Sequence, residues 1–114
     1  MKYFGLVLSF VLLSTLALTA GAGNVKTETF KVYGNCGMCR STIEKAAKSV
    51  PGVKSADWNV KTDMLTVSYQ EDETTLDEIK KSIAASGYDS DTYRATDEAY
   101  NNLHGCCQYE RPGT

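Results

Sequence analysis

Between residues 27 and 94 the apolar side chains switch repeatedly between a spacing of two and the spacing of a helix, and that order of segments constrains the fold most strongly. In TETFKVYG, Phe30 and Val32 fall on one side and Lys31 on the other, which predicts a short strand ending at Gly34. From Ser41 onward, Ile43, Ala46, Ala47 and Val50 stand at i, i+3, i+4 and i+7, one face of a helix that Pro51-Gly52 then stops. In VKSADWNV, Ala56, Trp58 and Val60 alternate with Ser55, Asp57 and Asn59. In MLTVSY, Leu65, Val67 and Tyr69 alternate with Thr66 and Ser68, and the polar NVKTD between these two segments reads as a hairpin turn. After QEDETT, the residues Leu76, Ile79 and Ile83 return to helical spacing until Gly87. YDSDTYRA is a weak last strand whose charge suits a sheet edge.

Strand, helix, strand, strand, helix, strand over about seventy residues is the order of the ferredoxin-like βαββαβ sandwich. This α+β fold has a four-stranded antiparallel sheet with two helices on one face. The expected core is Phe30, Ile43, Val53, Leu65, Val67, Leu76, Ile79 and Ile83.

The chain opens MKYFGLVLSFVLLSTLALTAGAG, with one lysine, an apolar run over residues 4–18, and the small residues Ala20, Gly21 and Ala22. Roughly fifteen apolar residues fall short of the about 20 that a membrane span needs. Residues 1–22 therefore read as a secretory signal peptide cut before Gly23, with retention as a membrane anchor the alternative. No cysteine lies near the cut, so a lipid anchor is unsupported. The remainder, about ninety residues, suits one small domain over residues 23–94 and a tail over residues 95–114. The chain carries 12 basic and 14 acidic residues, and losing Lys2 with the leader leaves 11 against 14, a net charge of −3. That balance suggests neither a nucleic-acid groove nor an anionic membrane surface as partner, and no stable membrane insertion follows cleavage.

Export to the periplasm or medium decides how Cys36, Cys39, Cys106 and Cys107 are read. An even count in an oxidising compartment allows two structural disulfides. The spacing argues against that framework. A bridge within CxxC closes a loop of about four residues, for about 2 kcal/mol, against over 4 for a bridge to the tail that closes about seventy. Adjacent Cys106 and Cys107 do not easily reach disulfide geometry with each other.

Cys36 falls in the loop between the first strand and first helix, and Cys39 at or near the first helical turn, where free backbone amides and the positive dipole end favour thiolates. Both are expected to titrate below the free value of about 8.5. Two soft thiolates so spaced converge on a d¹⁰ ion such as Cu(I) or Hg(II), whereas Zn(II) asks for four ligands. On an exposed loop such a site leaves the ion open to a third thiolate from a partner. Gly34 and Gly37 let the loop wrap closely.

NCGMC after the first strand, RSTIEKAAKSVPGV, VKSADWN and IAASGYDSD together resemble the heavy-metal-associated domain family, over about residues 26–94. That family is found in copper chaperones, in the amino-terminal modules of metal-exporting P-type ATPases, and in the periplasmic mercury-binding protein. The resemblance implies that Cys36 and Cys39 are the metal ligands, that Tyr88 holds the aromatic position in the loop facing the metal, and that Ile43, Val53 and Ile83 are core. One departure stands out. The family usually has G-M-x-C-x-x-C, but here Gly34 fills the methionine slot and Met38 sits between the cysteines. Met38 is either a thioether ligand or a surface side chain covering a gap.

A CxxC at a helix start also suits a periplasmic thiol–disulfide redox protein. Thioredoxin-like chains, however, carry an aromatic residue before the first cysteine and a cis-proline facing the pair, and neither Pro51 nor Pro112 fits that part. The tail predicts a short helix over residues 95–103, with Ala99 and Leu103 on one side, and then His104, Cys106 and Cys107 after a hinge. Cys106 and Cys107 are either additional metal ligands, in a second site or folded across the first, or surface thiols, or partners in a bridge to Cys36 or Cys39. His104 reads as solvent-facing. With one histidine, no nucleophile elbow and no phosphate loop, no enzyme constellation is present, and the acidic residues 71–73 read as a solvated lead-in to the second helix. The expected function is that of an exported metallochaperone or scavenger. It would bind Cu(I), with Hg(II) or Zn(II) as alternatives, and exchange the ion with a membrane metal transporter or another thiol-bearing acceptor.

Overall fold

The structure is a computed structural model that describes residues 24–113. The expected signal peptide, residues 1–22, lies outside them. The chain runs β1 (Val25–Lys31), α1 (Gly37–Lys48), β2 (Val53–Trp58), β3 (Met64–Gln70), α2 (Leu76–Ala85) and α3 (Asp97–Asn101), followed by a 3₁₀ turn (Gly105–Cys107). The strands form an antiparallel sheet in the order β1-β3-β2.

The period of two sorts the sheet into two unlike faces. Phe30, Trp58, Leu65, Val67 and Tyr69 are buried beneath the helices, where they meet Ile43, Ala47, Ile79 and Ile83. On the other face Thr27 pairs with Ser68 through a 2.8 Å hydroxyl hydrogen bond, and Thr29 with Thr66 at 3.0 Å. These cross-strand polar pairs let that face meet water without an apolar cost. Of the expected core, Val53 and Leu76 are only partly buried and the others are buried. Val60 falls beyond the end of β2 and is exposed, because Asn59 turns the chain there: its side-chain oxygen accepts from the amides of Lys61 (2.8 Å) and Thr62 (3.1 Å).

Each helix has a local cause. The Thr75 hydroxyl accepts from the Glu78 amide at 3.2 Å, capping α2, and Asp77 and Glu78 complement the positive end of its dipole. α1 starts at Gly37, four residues earlier than the apolar spacing predicts, with Cys36 as its N-cap.

The sheet differs from the expected four strands. Among the described residues the last strand is reduced to one antiparallel bridge, Val32 to Ser90, flanked by hydrogen bonds from the Tyr33 amide to the Asp89 carbonyl (2.9 Å) and from the Asp91 amide to the Lys31 carbonyl (3.2 Å). That places residues 89–91 beside the end of β1, at the edge a fourth strand would occupy. The segment goes no further because Ser90 turns it. The Ser90 hydroxyl accepts from the amides of Thr92 and Tyr93, both at 3.2 Å, and its own amide donates to the Tyr93 carbonyl at 2.8 Å.

Beyond this turn the tail doubles back and is fastened to the domain. Tyr109 is buried, stacked on Tyr88 with centroids 5.7 Å apart and edge-on to Tyr100 at 5.1 Å. Its hydroxyl donates to the Gly87 carbonyl (2.9 Å) and accepts from the Asp89 amide (2.8 Å). Arg111 forks onto the fully buried carboxylate of Asp89 at 2.8 and 2.9 Å and reaches Asp97 at 2.9 Å. Burial raises the Asp89 carboxyl, but Arg111 and the Ala95 amide outweigh it and hold the group below its ordinary value. Gly87 permits the approach: its φ is +106°, and a Cβ there would stand 2.9 Å from the Ala99 carbonyl and 3.0 Å from Leu103.

Candidate metal centre

The CxxC loop rests on a tryptophan. The Trp58 ring is fully buried against Gly34, its indole N–H donates to the Val32 carbonyl at 2.9 Å, and a Cβ on Gly34 would stand 3.0 Å from the ring. Glycine at position 34 is therefore the counterpart of tryptophan at 58, since a side chain there would press on the indole and on Ile43.

On this platform Cys36 is the N-cap of α1 and Cys39 lies in its first turn. The neutral Cys36 thiol makes no capping hydrogen bond. The backbone amides of Cys39 and then Met38 favour its ionised form and, against burial, pull its pKa below that of an ordinary thiol, as the sequence predicts for this cysteine. Cys39 is fully buried, with its sulfur 4.0 Å from the Cys107 carbonyl oxygen.

The folded tail sets the 3₁₀ turn against the loop, so the expected two-sulfur site has two further sulfurs beside it. Cys39 and Cys107 are buried there, while Cys36 is half-buried and Met38 and Cys106 are exposed. The sulfurs of Cys36, Cys106 and Cys107 lie within 4.8 Å of one another, a group able to hold a metal ion. The Cys39 sulfur adjoins both Cys36 and Cys107. The Asn35 side chain donates to the Cys106 carbonyl at 3.3 Å, and the Met38 sulfur is 3.7 Å from that of Cys106 on the exposed rim. All four cysteines are free thiols. His104 is exposed and outside the sulfur cluster.

Tyr88 is buried beside the sulfurs of Cys39 and Cys107, and its hydroxyl has no hydrogen-bond partner. Burial first, and then the Cys107 and Cys39 thiols, push its pKa up, so it is a neutral donor at any physiological pH. Burial and the neighbouring Cys39 thiol likewise push the Cys107 thiol up to about 12.

These opposite shifts give a testable order of reactivity. A thiolate is the nucleophile, so lowering the pKa of Cys36 raises its reactive fraction near neutrality, and raising that of Cys107 removes it. In the metal-free reduced protein, pulse alkylation with peptide mapping is expected to label Cys36 with a pH midpoint below about 8.5, and to leave Cys107 unlabelled until the protein is denatured. Equal labelling of Cys36 and Cys107 in the folded protein would contradict this electrostatic account.

The sequence named Cys36, Cys39 and Tyr88, with Cys106 and Cys107 as one of several readings of the tail, and the structure brings these five together. The sequence did not name Trp58, Asn35, Tyr109 or Arg111 beside them. The one available signal was QYERP directly after the cysteine pair, where an aromatic and a basic residue two apart can both face inward from an extended segment.

An α+β fold with paired cysteines at the mouth of its first helix and two more sulfurs beside them defines a small thiol-bearing domain able to hold a metal ion. The heavy-metal-associated domain matches residues 29–89, and the chain belongs to that family. It is 35% identical to the copper chaperone CopZ of Staphylococcus aureus (strain JH9), over 54% of this chain and 93% of the chaperone. Among solved structures it is similar to a CopZ metallochaperone (33% identity, TM-score 0.55, 57% of this chain and 98% of that one). It is likewise similar to oxidized MerP from Ralstonia metallidurans CH34 (31%, TM-score 0.56, 59% and 94%). A third similar structure is the N-terminal domain of a potential copper-translocating P-type ATPase from Bacillus subtilis, solved in the Cu(I)-loaded state (26%, TM-score 0.56, 59% and 85%).

Proposed function

We propose that the protein is an exported carrier of Cu(I), which it holds through the thiolates of Cys36 and Cys39 and exchanges with the thiols of a partner. The observation that carries this reading is the Cys36 sulfur at the N-cap of α1, where two backbone amides favour its anion, with Cys39 following in the same turn. Soft anionic sulfurs select soft d¹⁰ ions, and Cu(I) is satisfied by fewer of them than Zn(II). The copper chaperone and the Cu(I)-loaded transporter domain among the similar proteins favour the same ion and a membrane metal transporter as the acceptor. Hg(II) is the second reading, favoured by the likeness to MerP. In either case the chain acts by binding and transfer, not by catalysis.

Anaerobic titration against a chromogenic Cu(I) chelator is expected to show one tightly held ion per chain. Mixing the loaded protein with a thiol-bearing acceptor domain is expected to move that ion across directly. A reduced protein that turns over a disulfide substrate and forms no stable Cu(I) complex would overturn the proposal in favour of thiol–disulfide exchange.

A further inference from the structure

We propose that Cys106 and Cys107 join Cys36 in a three-thiolate site that the chain closes over its own cargo, so that the bound ion is trigonal and the tail must lift before a partner's thiol can enter. The inference rests on the thiolate reading of the CxxC loop and adds a coordination state and a gate to it. The tail lies outside residues 29–89, the span the family accounts for.

The geometry is that of a trigonal site. An ion about 2.3 Å from each of three sulfurs places them about 4 Å apart, and the three sulfurs here already lie within 4.8 Å of one another, so the change on binding is below an ångström. Cys106 and Cys107 are suited to supply two of them, because neighbouring cysteines strain to bridge each other and so remain open to an ion. The turn that carries them is held by hydrogen bonds from the Cys107 amide to the His104 carbonyl (2.8 Å) and from the Gln108 amide to the Gly105 carbonyl (3.1 Å). The Cys39 sulfur sits behind the triangle, next to Cys36, and takes the place of the tail sulfurs when the tail lifts, which gives the two-sulfur state of the loop. The Met38 thioether sits at the rim beside Cys106.

A second, independent observation is the Tyr88 hydroxyl. Among the described residues it is the one buried side-chain polar atom without a hydrogen-bond partner, and it lies beside the sulfurs of Cys39 and Cys107. A buried donor left unpaired is costly, and a neutral thiol is a weak acceptor for it. A metal-bound thiolate is a strong one, so loading the site supplies what this hydroxyl lacks.

The closure is built rather than incidental. Tyr109 and Arg111 follow the cysteine pair by two and four residues and are fastened to the domain through Gly87 and Asp89, with Arg111 also reaching Asp97 of α3. The tail sulfurs thus occupy the side from which an acceptor would bring its own thiolate. Transfer then proceeds by exchange: the tail sulfurs release as the tail lifts, the ion passes to Cys36 and Cys39, and each sulfur of the acceptor then forms a bond to the ion as one of these loop bonds breaks, with no change in oxidation state.

The test compares the parent, Cys106→Ser/Cys107→Ser and Cys36→Ser/Cys39→Ser, each loaded anaerobically with one equivalent of Cu(I), with circular dichroism confirming that all three are folded. X-ray absorption is expected to show three sulfurs around copper in the parent and two in the tail variant. Because a chelate arm multiplies local ligand concentration, the tail variant is expected to bind about tenfold or more weakly and to surrender the ion to a chelator correspondingly faster. Equal coordination number and equal transfer rate in parent and tail variant, with the loop variant unable to bind, would overturn the cap and leave the loop reading intact. A loop variant that binds as tightly as the parent would overturn the loop reading, and the cap with it.

Discussion

Replacing Cys36 and Cys39 together by serine is expected to lower Cu(I) affinity by roughly a thousandfold or more, because both soft ligands at the helix mouth are lost together with the chelate they form. A hydroxyl is a hard, neutral ligand and does not substitute. The fold is expected to survive. Cys36 is only partly buried, and although Cys39 is fully buried, serine is its near isostere and brings an acceptor to the orphaned Tyr88 hydroxyl. The core of Phe30, Ile43, Leu65, Val67, Ile79 and Ile83 is untouched. Chelator competition reads the affinity, and a thermal melt within a few degrees of the parent separates ligand loss from unfolding.

Trp58→Ala is expected to be the most destabilising single substitution at the site, at about 3–5 kcal/mol in chemical denaturation. The indole is fully buried, leaves a large cavity when truncated, and takes with it the hydrogen bond to the Val32 carbonyl. It also carries the CxxC loop, since Gly34 lies directly on the ring. Weakened Cu(I) binding is therefore expected in the fraction that remains folded. Trp58→Phe, which keeps part of the ring and loses the indole N–H, is expected to fall between alanine and the parent. An alanine variant as stable as the parent would show that the loop is supported some other way.

How far the sequence reveals this molecule depends on the range of the interactions involved. β1, α1, β2, β3 and α2 are each set by a periodicity that a single segment carries, and Ile43, Ile79 and Ile83 were legible for that reason. The start of α1 was legible only in part. Cysteine is not among the preferred N-caps, so Cys36 gives no boundary signal, and the helix begins before its apolar stripe does. The weak fourth strand had the right position but too many side chains that compete with a ladder, and Ser90 and Asp89 spend their hydrogen bonds on a turn and on Arg111. A tail folded across the site is one of several readings the sequence allows for Cys106 and Cys107, and choosing among them was beyond local reading. The choice depends on Tyr109 meeting Tyr88 and Arg111 meeting Asp89, the latter pair 22 residues apart, pairings that leave no period in the chain. The pairing of Gly34 with Trp58 is of the same kind: a departure at one position is compensated by a residue two elements away.

The most direct test of the central claim, a carrier of a soft ion on reduced thiols, is native mass spectrometry of the protein purified anaerobically from its own cells. Metal identity, cysteine oxidation state and the first residue of the chain are read from one intact mass. The account predicts a chain beginning at Gly23 with all four cysteines reduced and one copper ion bound, which is lost when Cys36 and Cys39 are replaced. A metal-free chain carrying disulfides, or one holding zinc that survives that replacement, would contradict it.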